Sequence, residues 1–429
     1  MSEWKEVRLG DLCYRVCSGG TPKSTCSVYY DGGTIPWLNT KEINYNRIYQ
    51  TESHITEEGL NNSSAKWIDA NSVIVAMYGA TAGRVAVAKI PMTTNQACCN
   101  LMIDKSKADY NFIYYYLSNN YKHLLSMANG AAQQNLNAQV IKDFVISLPE
   151  IDEQHRISSF LSALDDKIAV NRRICENLEA QAQALFKHWF IDFAPFKNGN
   201  FCANREQNET CFNSAEVQPK ITGKACKFVE SELGMIPEGW RVVTLGEICK
   251  CELGGTPSRA NKSYWGGNIA WINSGEVNKF RICEASEYIT EDGLNHSATK
   301  LLPAKTTVLA ITGATLGQVS LLEIDSCANQ SVVGVKENSK VPYAFIYPAI
   351  KSKIKELVNM QTGGAQQHIN KDNIQSLRIT IPPQNIMEEY KSAAIPMYHE
   401  IGNLCFENLR LSSLRDTLLP KLMSGQIKV

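Results

Sequence analysis

One internal repeat limits what this chain can fold into more than any other feature. WKEVRLGDLC at Trp4–Cys13 returns as WRVVTLGEIC at Trp240–Cys249, and SGGTPKS from Ser18 returns as LGGTPSR from Leu253. IPWLN from Ile35 returns as IAWIN from Ile269, and ITEEGLNNSSAK from Ile55 returns as ITEDGLNHSATK from Ile289, identical at 8 of 12 positions. YGATAGRV from Tyr78, TNQA from Thr94 and GAAQQNLN from Gly130 return as TGATLGQV from Thr312, ANQS from Ala328 and GGAQQHIN from Gly363. The offset drifts only from 236 to 233 across these seven matches, which chance cannot keep collinear. They mark a duplicated domain of about 150 residues, a period far too long for a solenoid.

Each copy is followed by a segment of helical character. After Leu148-Pro149, residues Ile157, Leu161, Leu164, Ile168, Asn171, Cys175, Leu178, Ala182, Leu185 and Trp189 step alternately by four and three. That is a heptad seam, and its polar member Asn171 is the kind of residue that fixes register at some cost in stability. From Gln154 to Phe190 the helix would run about 55 Å. After Ile381-Pro382, Met397, Ile401, Leu404, Leu411, Leu418 and Leu422 follow the same alternation, interrupted at Asn408 and Arg415. Pro396 is expected to start or kink this second helix, and Pro420 to end it or kink it late. Two long seams in one chain most simply bury against each other; the alternative is that each stripe packs on its own globular domain.

Inside each copy, SVIVAMYGA from Ser72 and TTVLAITGA from Thr306 are short β-branched runs ended by Gly, hence strands. The runs from Asp109 and from Val341 look helical, with interruptions at Gly130 and Gly363. The expected fold is therefore α+β: two tandem α+β domains with pseudo-two-fold symmetry, joined by two long helices that form an antiparallel coiled coil. The expected segments are a first domain (1–150), a first helix (151–190), a linker (191–235), a second domain (236–382) and a second helix (383–429). The linker assignment rests on Ala194 to Leu233, which is rich in Asn, Lys, Glu, Gly and Thr and keeps no period.

Composition removes several classes. The 44% apolar and 20% charged residues of this 429-residue chain are those of a soluble globular protein with ample core. No run reaches the roughly 18 consecutive apolar residues of a membrane span, and MSEWKEVRLG at the start has no apolar signal core. The 14 Cys form no C-x-x-C or C-x-x-H pair, which argues against a zinc knuckle and for reduced thiols in a cytoplasmic protein. With 43 Lys+Arg against 43 Asp+Glu, the net charge is zero, which taken alone argues against nucleic acid.

Catalytic signatures are missing. There is no G-x-x-x-x-G-K-[ST], G-x-S-x-G or H-E-x-x-H. IPPQN at Ile381 does not match the Asn/Asp-Pro-Pro-aromatic loop of amino-methyltransferases, and the 7 His form no sequence cluster. No catalytic residue, metal ligand or cofactor site is expected in this chain. What remains are loops rich in Gly, Asn, Gln and Thr. The paired Gly of GGTP would let backbone approach a ligand closely, although an ordinary turn is the competing reading. GATAGR (Gly79 to Arg84) and GATLGQ (Gly313 to Gln318) follow a strand directly and read as tight connections with some ligand contact; they lack the helix start and Lys of a true phosphate loop. The amide pairs Gln133-Gln134 and Gln366-Gln367 either read adenine or stitch a loop to its own backbone. Aromatics such as Tyr29, Tyr30, Trp37, Tyr45, Tyr264, Trp265 and Trp271 read as core.

Together these residues resemble the specificity subunit of type I restriction-modification enzymes. The resemblance rests on W-x-x-V-x-L-G-[DE] opening each half, GGTP soon after, the strand-G-A-T-x-G element and a long helix ending in LRDTLLPKLMSGQI. FKHWFIDFAPF from Phe186 and ELGMIPEGW from Glu232 resemble that family's central junction, so the likeness covers nearly the whole chain. It implies two target recognition domains, each reading a few base pairs of double-stranded DNA. It also implies a coiled coil acting as a fixed ruler, and a target of two half-sites around an unread spacer. Two methyltransferase (modification) subunits would supply S-adenosylmethionine and adenine methylation, and two motor-nuclease (restriction) subunits would supply ATP- and Mg-dependent translocation and cleavage. No cofactor would be bound by this chain.

Specificity is expected where the copies differ. Tyr78 faces Thr312, Arg84 faces Gln318, Lys23 faces Ser258 and Asn135 faces His368 in the alignment. The candidate DNA-contacting residues are Lys23, Lys41, Tyr78, Arg84, Gln133, Gln134 and Asn135 in copy one. In copy two they are Arg259, Lys262, Thr312, Gln318, Gln366, Gln367 and His368. The expected seam is Ile157, Leu161, Leu164, Ile168, Asn171, Leu178 and Leu185 against Ile401, Leu404, Leu411 and Leu418. Other readings of the same features are a coiled-coil assembly scaffold, a fused methyltransferase with a divergent motif, and a specificity subunit of another anti-phage modification system. The zero net charge then predicts weak binding to DNA by the chain alone, because a protein that holds DNA by counterion release should be more basic.

Overall fold

The computed structural model describes residues 4–127, 135–197, 226–359 and 368–429. The chain divides into two compact units, one formed by Met1–Ile168 with Arg410–Val429 and the other by Ala169–Leu409. Each unit holds one copy of the repeat and a part of both long helices.

The first unit closes copy one end to end. Strand Lys5–Arg8 pairs antiparallel with Val145–Leu148, so the domain's entrance and exit lie side by side. A five-stranded sheet follows in the order Cys13–Ser18, Cys98–Ile103, Val73–Ala76, Val85–Ala88, Asn46–Ile48. The continuous apolar run Val73-Ile74-Val75-Ala76 is buried on both faces, as an unalternating strand must be. Val73, Val75, Val85 and Val87 meet Phe112, Ile113 and Leu117 of helix Tyr110–Asn119 on one side. Ile74, Ala76, Ala86 and Ala88 meet Leu38, Ile43 and Met102 on the other. Ile35–Leu38 belongs to a second, four-stranded sheet with Ser53–Ile55, Met92–Thr94 and Trp67–Ile68, and it runs parallel to Met92–Thr94.

Copy two repeats this plan within the second unit. Arg241–Thr244 pairs with Arg378–Ile381. Lys250–Leu253, Val332–Lys336, Thr307–Ala310 and Val319–Leu321 form the main sheet, and Trp265–Ile272 lies between Glu287–Ile289 and Cys327–Ala328. The fifth strand of copy one is reduced here to a single parallel bridge, Ile282 to Leu322.

The long helices span Ile151–Phe190 and Gln384–Met423. Within the second unit Asn171 meets Glu407 and Asn408, Cys175 meets the Ile401 carbonyl, and Trp189 meets Tyr390. Rising numbers on one helix meet falling numbers on the other, so the two run antiparallel there. Within the first unit Ile157 and Leu161 share a core with Leu418, Leu422 and Met423. Of the expected seam residues, Ile157, Leu161, Ile168, Asn171, Ile401 and Leu404 are buried, and Leu164, Leu178, Leu185, Leu411 and Leu418 are half-buried.

Two expectations need correction. The second helix starts at Gln384, directly after Pro383, and runs through Pro396 and Pro420. Pro396 therefore does not start it. An interior Pro costs about 3 kcal/mol, but Tyr390, Ala394, Tyr398 and Ile401 are fully buried around it, and their burial carries the helix across. The helix ends at Met423, and Gly425 just beyond it has a φ of 69°, the left-handed conformation that ends helices. The segment after the first helix is also not unstructured at its described ends. A short helix, Ala194–Lys197, and a hairpin of Phe228–Ser231 with Gly234–Pro237 flank it. Phe190, Phe193 and Phe196 pack tilted or edge-on around Trp240 at ring distances of 5.7, 5.3 and 5.0 Å. Those aromatic contacts give this polar stretch a core to fold on.

Candidate functional site

The motifs that recur in both copies fold against one another. Gly20 lies so close to Ser64 and Ala65 that a Cβ there would sit 2.2 Å from the Ser64 carbonyl carbon, and a Cβ on Gly255 would sit 2.6 Å from that of Ala298. The indole of Trp37 donates to the Gly20 carbonyl at 2.9 Å, and that of Trp271 to the Gly255 carbonyl at 3.1 Å. Thr21 bonds Gln96, and Thr256 bonds Gln330, which joins GGTP to the TNQA and ANQS segments. The Gly pair thus admits the protein's own backbone. Of the two readings left open for GGTP, the close approach seen in the structure is to the protein's own backbone.

The strand-G-A-T-x-G elements are tight hairpin turns. Gly83 and Gly317 adopt φ of 77° and 82°. The Gly83 amide donates back to Ala76, and that of Gly317 to Ala310. In copy one the Leu136 amide donates to the Met77 carbonyl, which puts Asn135 beside Tyr78 in the fold. In copy two Thr312 and His368 form a β-bridge. The structure thus brings together, in each copy, two candidate positions that lie far apart in the sequence. Asn135 and His368 are exposed, Tyr78 and Thr312 half-buried, and Gln318 exposed on its turn. Arg84 is half-buried and donates to the Asn44 side chain at 2.9 Å. Gln133, Gln134, Gln366 and Gln367 lie outside the described residues.

The remaining candidates sit on other loops. Lys23 and Lys262 are exposed. Lys41 pairs with Glu52 at 2.6 Å across an exposed surface, which leaves the ammonium available to a stronger anion. Arg259 is held more firmly. Its two terminal nitrogens donate to both Glu287 oxygens at 2.6 and 2.7 Å, and its guanidinium lies 3.7 Å from the Trp265 ring centre. Those bonds to Glu287 push the Arg259 pKa up and hold the Glu287 carboxyl below its usual range. Copy one has Ser24 and Ser53 where copy two has this pair, so the Arg–Glu unit is a feature of copy two alone.

A second constellation was not among the sequence candidates. Arg47, on strand Asn46–Ile48, donates to Tyr115 Oη at 3.1 Å, Ser162 Oγ at 2.9 Å and Asp166 Oδ1 at 3.2 Å, and it lies 3.9 Å from Asp165 Oδ2. Tyr115 donates to Asp165 at 2.5 Å, and Arg415 of the second helix donates to the other Asp165 oxygen at 2.7 Å. In copy two Arg281 donates to Glu179 at 2.6 Å and to Tyr347 Oη at 3.3 Å, and it faces Glu323 at 3.7 Å. Lys351 donates to both Glu179 and Tyr347, and Lys305 pairs with Glu323. Burial works against the Glu179 charge, yet Arg281 and Lys351 hold its carboxyl below the usual Glu range. The signal for these residues was the repeat itself, since Arg47-Ile48 and Arg281-Ile282 match at an offset of 234.

Among the described residues no group of His, Cys, Asp and Glu is arranged to hold a metal ion, and no helix is long and apolar enough to cross a membrane. A family model described as "Type I restriction modification DNA specificity domain" matches residues 1–180 and again 237–391. Over its whole length the chain is 29% identical to the type I restriction enzyme MjaIX specificity subunit of Methanocaldococcus jannaschii, covering 94% of that protein. It is 24% identical to the HindI specificity subunit of Haemophilus influenzae, with both proteins covered in full. Its fold is similar to that of a type I restriction-modification S subunit from M. genitalium, with a TM-score of 0.60 over 98% of this chain and 96% of that one, at 15% identity.

Proposed function

Because this chain belongs to the type I restriction modification DNA specificity family, with both of its repeats matched, we propose that each copy reads one half of a two-part target on double-stranded DNA. The observation that carries this reading is the duplication in three dimensions. The same recurring motifs build the same scaffold twice, and the turns that differ, Tyr78 to Arg84 against Thr312 to Gln318, are mounted on it at corresponding places. Two like readers suit two half-sites, as in dimeric repressors. The antiparallel helices serve as the ruler between them.

The chemistry of modification and cleavage belongs to partners in this proposal. Two methyltransferase subunits bring S-adenosylmethionine, and two motor-nuclease subunits bring ATP and Mg, in the cytoplasm. The net charge of zero supports that division, because base reading can reside here while partners neutralise phosphates. Arg84 or Lys23 in copy one and Arg259, Lys262 or Gln318 in copy two are the residues proposed to contact DNA, a good bidentate base contact contributing about 1–3 kcal/mol of discrimination.

The test is the pattern of methylated adenines in genomic DNA with and without this gene. A two-part adenine motif that vanishes with the gene supports the reading, and an unchanged methylome rejects it. Arg84→Ala should relax one half of the motif and leave the other intact. Tight, sequence-specific binding to DNA by the chain alone would reject the division of labour with its partners.

A further inference from the structure

Arg47 and Arg281 occupy equivalent positions in the two copies, and each joins its domain to the first long helix. In copy one the helix supplies Ser162, Asp165 and Asp166. In copy two it supplies Glu179. A tyrosine on the domain's own helix completes each cluster, Tyr115 in copy one and Tyr347 in copy two. These tyrosines are not at matched positions. Tyr347 aligns with Tyr114, so the same hydroxyl arrives from a neighbouring residue. The acids have also changed place. By the repeat offset, the position matching Asp165 is Tyr398 on the second helix, which lies over Arg281 at 5.7 Å but carries no charge. Copy two instead takes its carboxylate from the first helix, fourteen residues beyond Asp165. The arrangement of Arg, Tyr and helix carboxylate recurs although two of its three parts come from non-equivalent positions.

A planar guanidinium with several fixed partners constrains direction as well as distance. Loose surface pairs contribute almost nothing, but these side chains are 12% exposed at Arg47 and 0% at Arg281. A domain tied this way cannot swivel on its helix without leaving buried charges unpaired.

We propose that Arg47 and Arg281 are positioning residues that lock each recognition domain onto the first long helix in one orientation, and so set which spacer length the complex accepts between its two half-sites. This rests on the two-part reading above. One added base pair turns a half-site by about 35° and shifts it by about 3.4 Å. Only a domain held against such a rotation can reject it.

The experiment uses the full chain assembled with its methyltransferase subunits, on DNA carrying both half-sites at the cognate spacing and at one base pair more and fewer. Initial methylation rates give the preference for the cognate spacing. In Arg47→Gln the half-site bases should be unchanged, while that preference falls by about tenfold, equivalent to about 1.4 kcal/mol. A proportional fall at all spacings, with the preference kept, means a purely structural role and overturns the proposal. A changed base in a half-site makes Arg47 a reader and also overturns it. Should Arg47→Gln fail to assemble, Tyr115→Phe and Ser162→Ala carry the same readout, and an unaltered preference in both overturns it. A parent complex that shows no two-part motif at all would sink the functional reading instead.

Discussion

Arg47 keeps 12% of its side chain exposed and shares its cluster with Asp166, which is 64% exposed, whereas Arg281 is fully enclosed between Glu179 and Glu323. In copy one water can take over the part played by the exposed Asp166. In copy two the guanidinium is shielded from bulk solvent, and Lys305 and Lys351 give both carboxylates further cations. Even so, Arg281 Nε and Glu323 Oε1 find no hydrogen bond. The same task is therefore performed in one copy by a mostly buried cluster with one solvent-facing acid and in the other by a closed ionic network. In a closed network the cost of losing a member is set by the groups left behind.

That contrast predicts unequal damage from equal substitutions. Arg281→Ala strands Glu179 and Glu323 in the interior and should lower the unfolding free energy by about 3–5 kcal/mol. Arg47→Ala exposes its partners to water and should lower it by about 1–3 kcal/mol. Urea unfolding of the two variants measures both. Equal losses, or a larger loss at Arg47, would break the comparison.

The acid response sharpens it. The Glu179 carboxyl titrates lower in the fold than in the open chain. Its contribution is therefore complete above the ordinary Glu value near ~4.3 and is lost as pH falls through the lower folded value. Glu179→Gln should be less stable than the parent at neutral pH, and the gap should close in acid. Denaturant midpoints at pH 7 and in the acid limb check this, and a gap that stays constant would mean that the Glu179 charge is not what stabilises copy two.

How much of this was legible in the sequence follows from the range over which each feature is encoded. The strands Val73–Ala76 and Thr307–Ala310 and the seam from Ile157 to Trp189 are periodic within one element, and local spacing reveals them. The clusters around Arg47 and Arg281 are not local. Tyr115 lies 68 residues beyond Arg47 and Ser162 lies 115 beyond it, while Glu179 precedes Arg281 by 102. No spacing rule joins them, and the recurring Arg-Ile dipeptide was the sole trace. GGTP left two readings open for the opposite reason. Its glycines signal a close approach, but local sequence does not say whether the approaching group is a ligand or, as here, the backbone at Ser64 and Ala298. Apart from the paired amides, which agree and were chosen for their chemistry, the DNA-reading candidates were sought where the copies differ, a criterion that passes over Arg47 and Arg281 because they agree.

A smaller effect tests where the two copies are alike. The indoles of Trp37 and Trp271 are both buried and make the same bond to a GGTP carbonyl. Trp37→Phe and Trp271→Phe should each cost about 1 kcal/mol for that bond, beyond the smaller ring volume. Matching losses in thermal unfolding would show that the copies diverge at the arginine clusters and not in the scaffold. Losses differing several-fold would place the divergence in the scaffold itself.

The smallest effect is expected at the position where the repeat is broken. Tyr398 stands where copy one has Asp165, is fully buried, and has a hydroxyl with no hydrogen-bond partner. Burial, together with Tyr390 and Glu179 nearby, drives its pKa well above the ordinary value, so the hydroxyl stays neutral. Its ring packs 6.0 Å from Tyr343 and 5.9 Å from Tyr347, and those contacts survive loss of the oxygen. Tyr398→Phe should therefore change stability by no more than about 0.5 kcal/mol, and toward greater stability, because an unsatisfied buried polar atom is removed. Tyr115→Phe, which breaks bonds to both Asp165 and Arg47, should be clearly destabilising in the same assay. If Tyr398→Phe proved as costly as Tyr115→Phe, the Tyr398 hydroxyl would be part of the Arg281 cluster, and the two copies would be more alike than their carboxylates suggest.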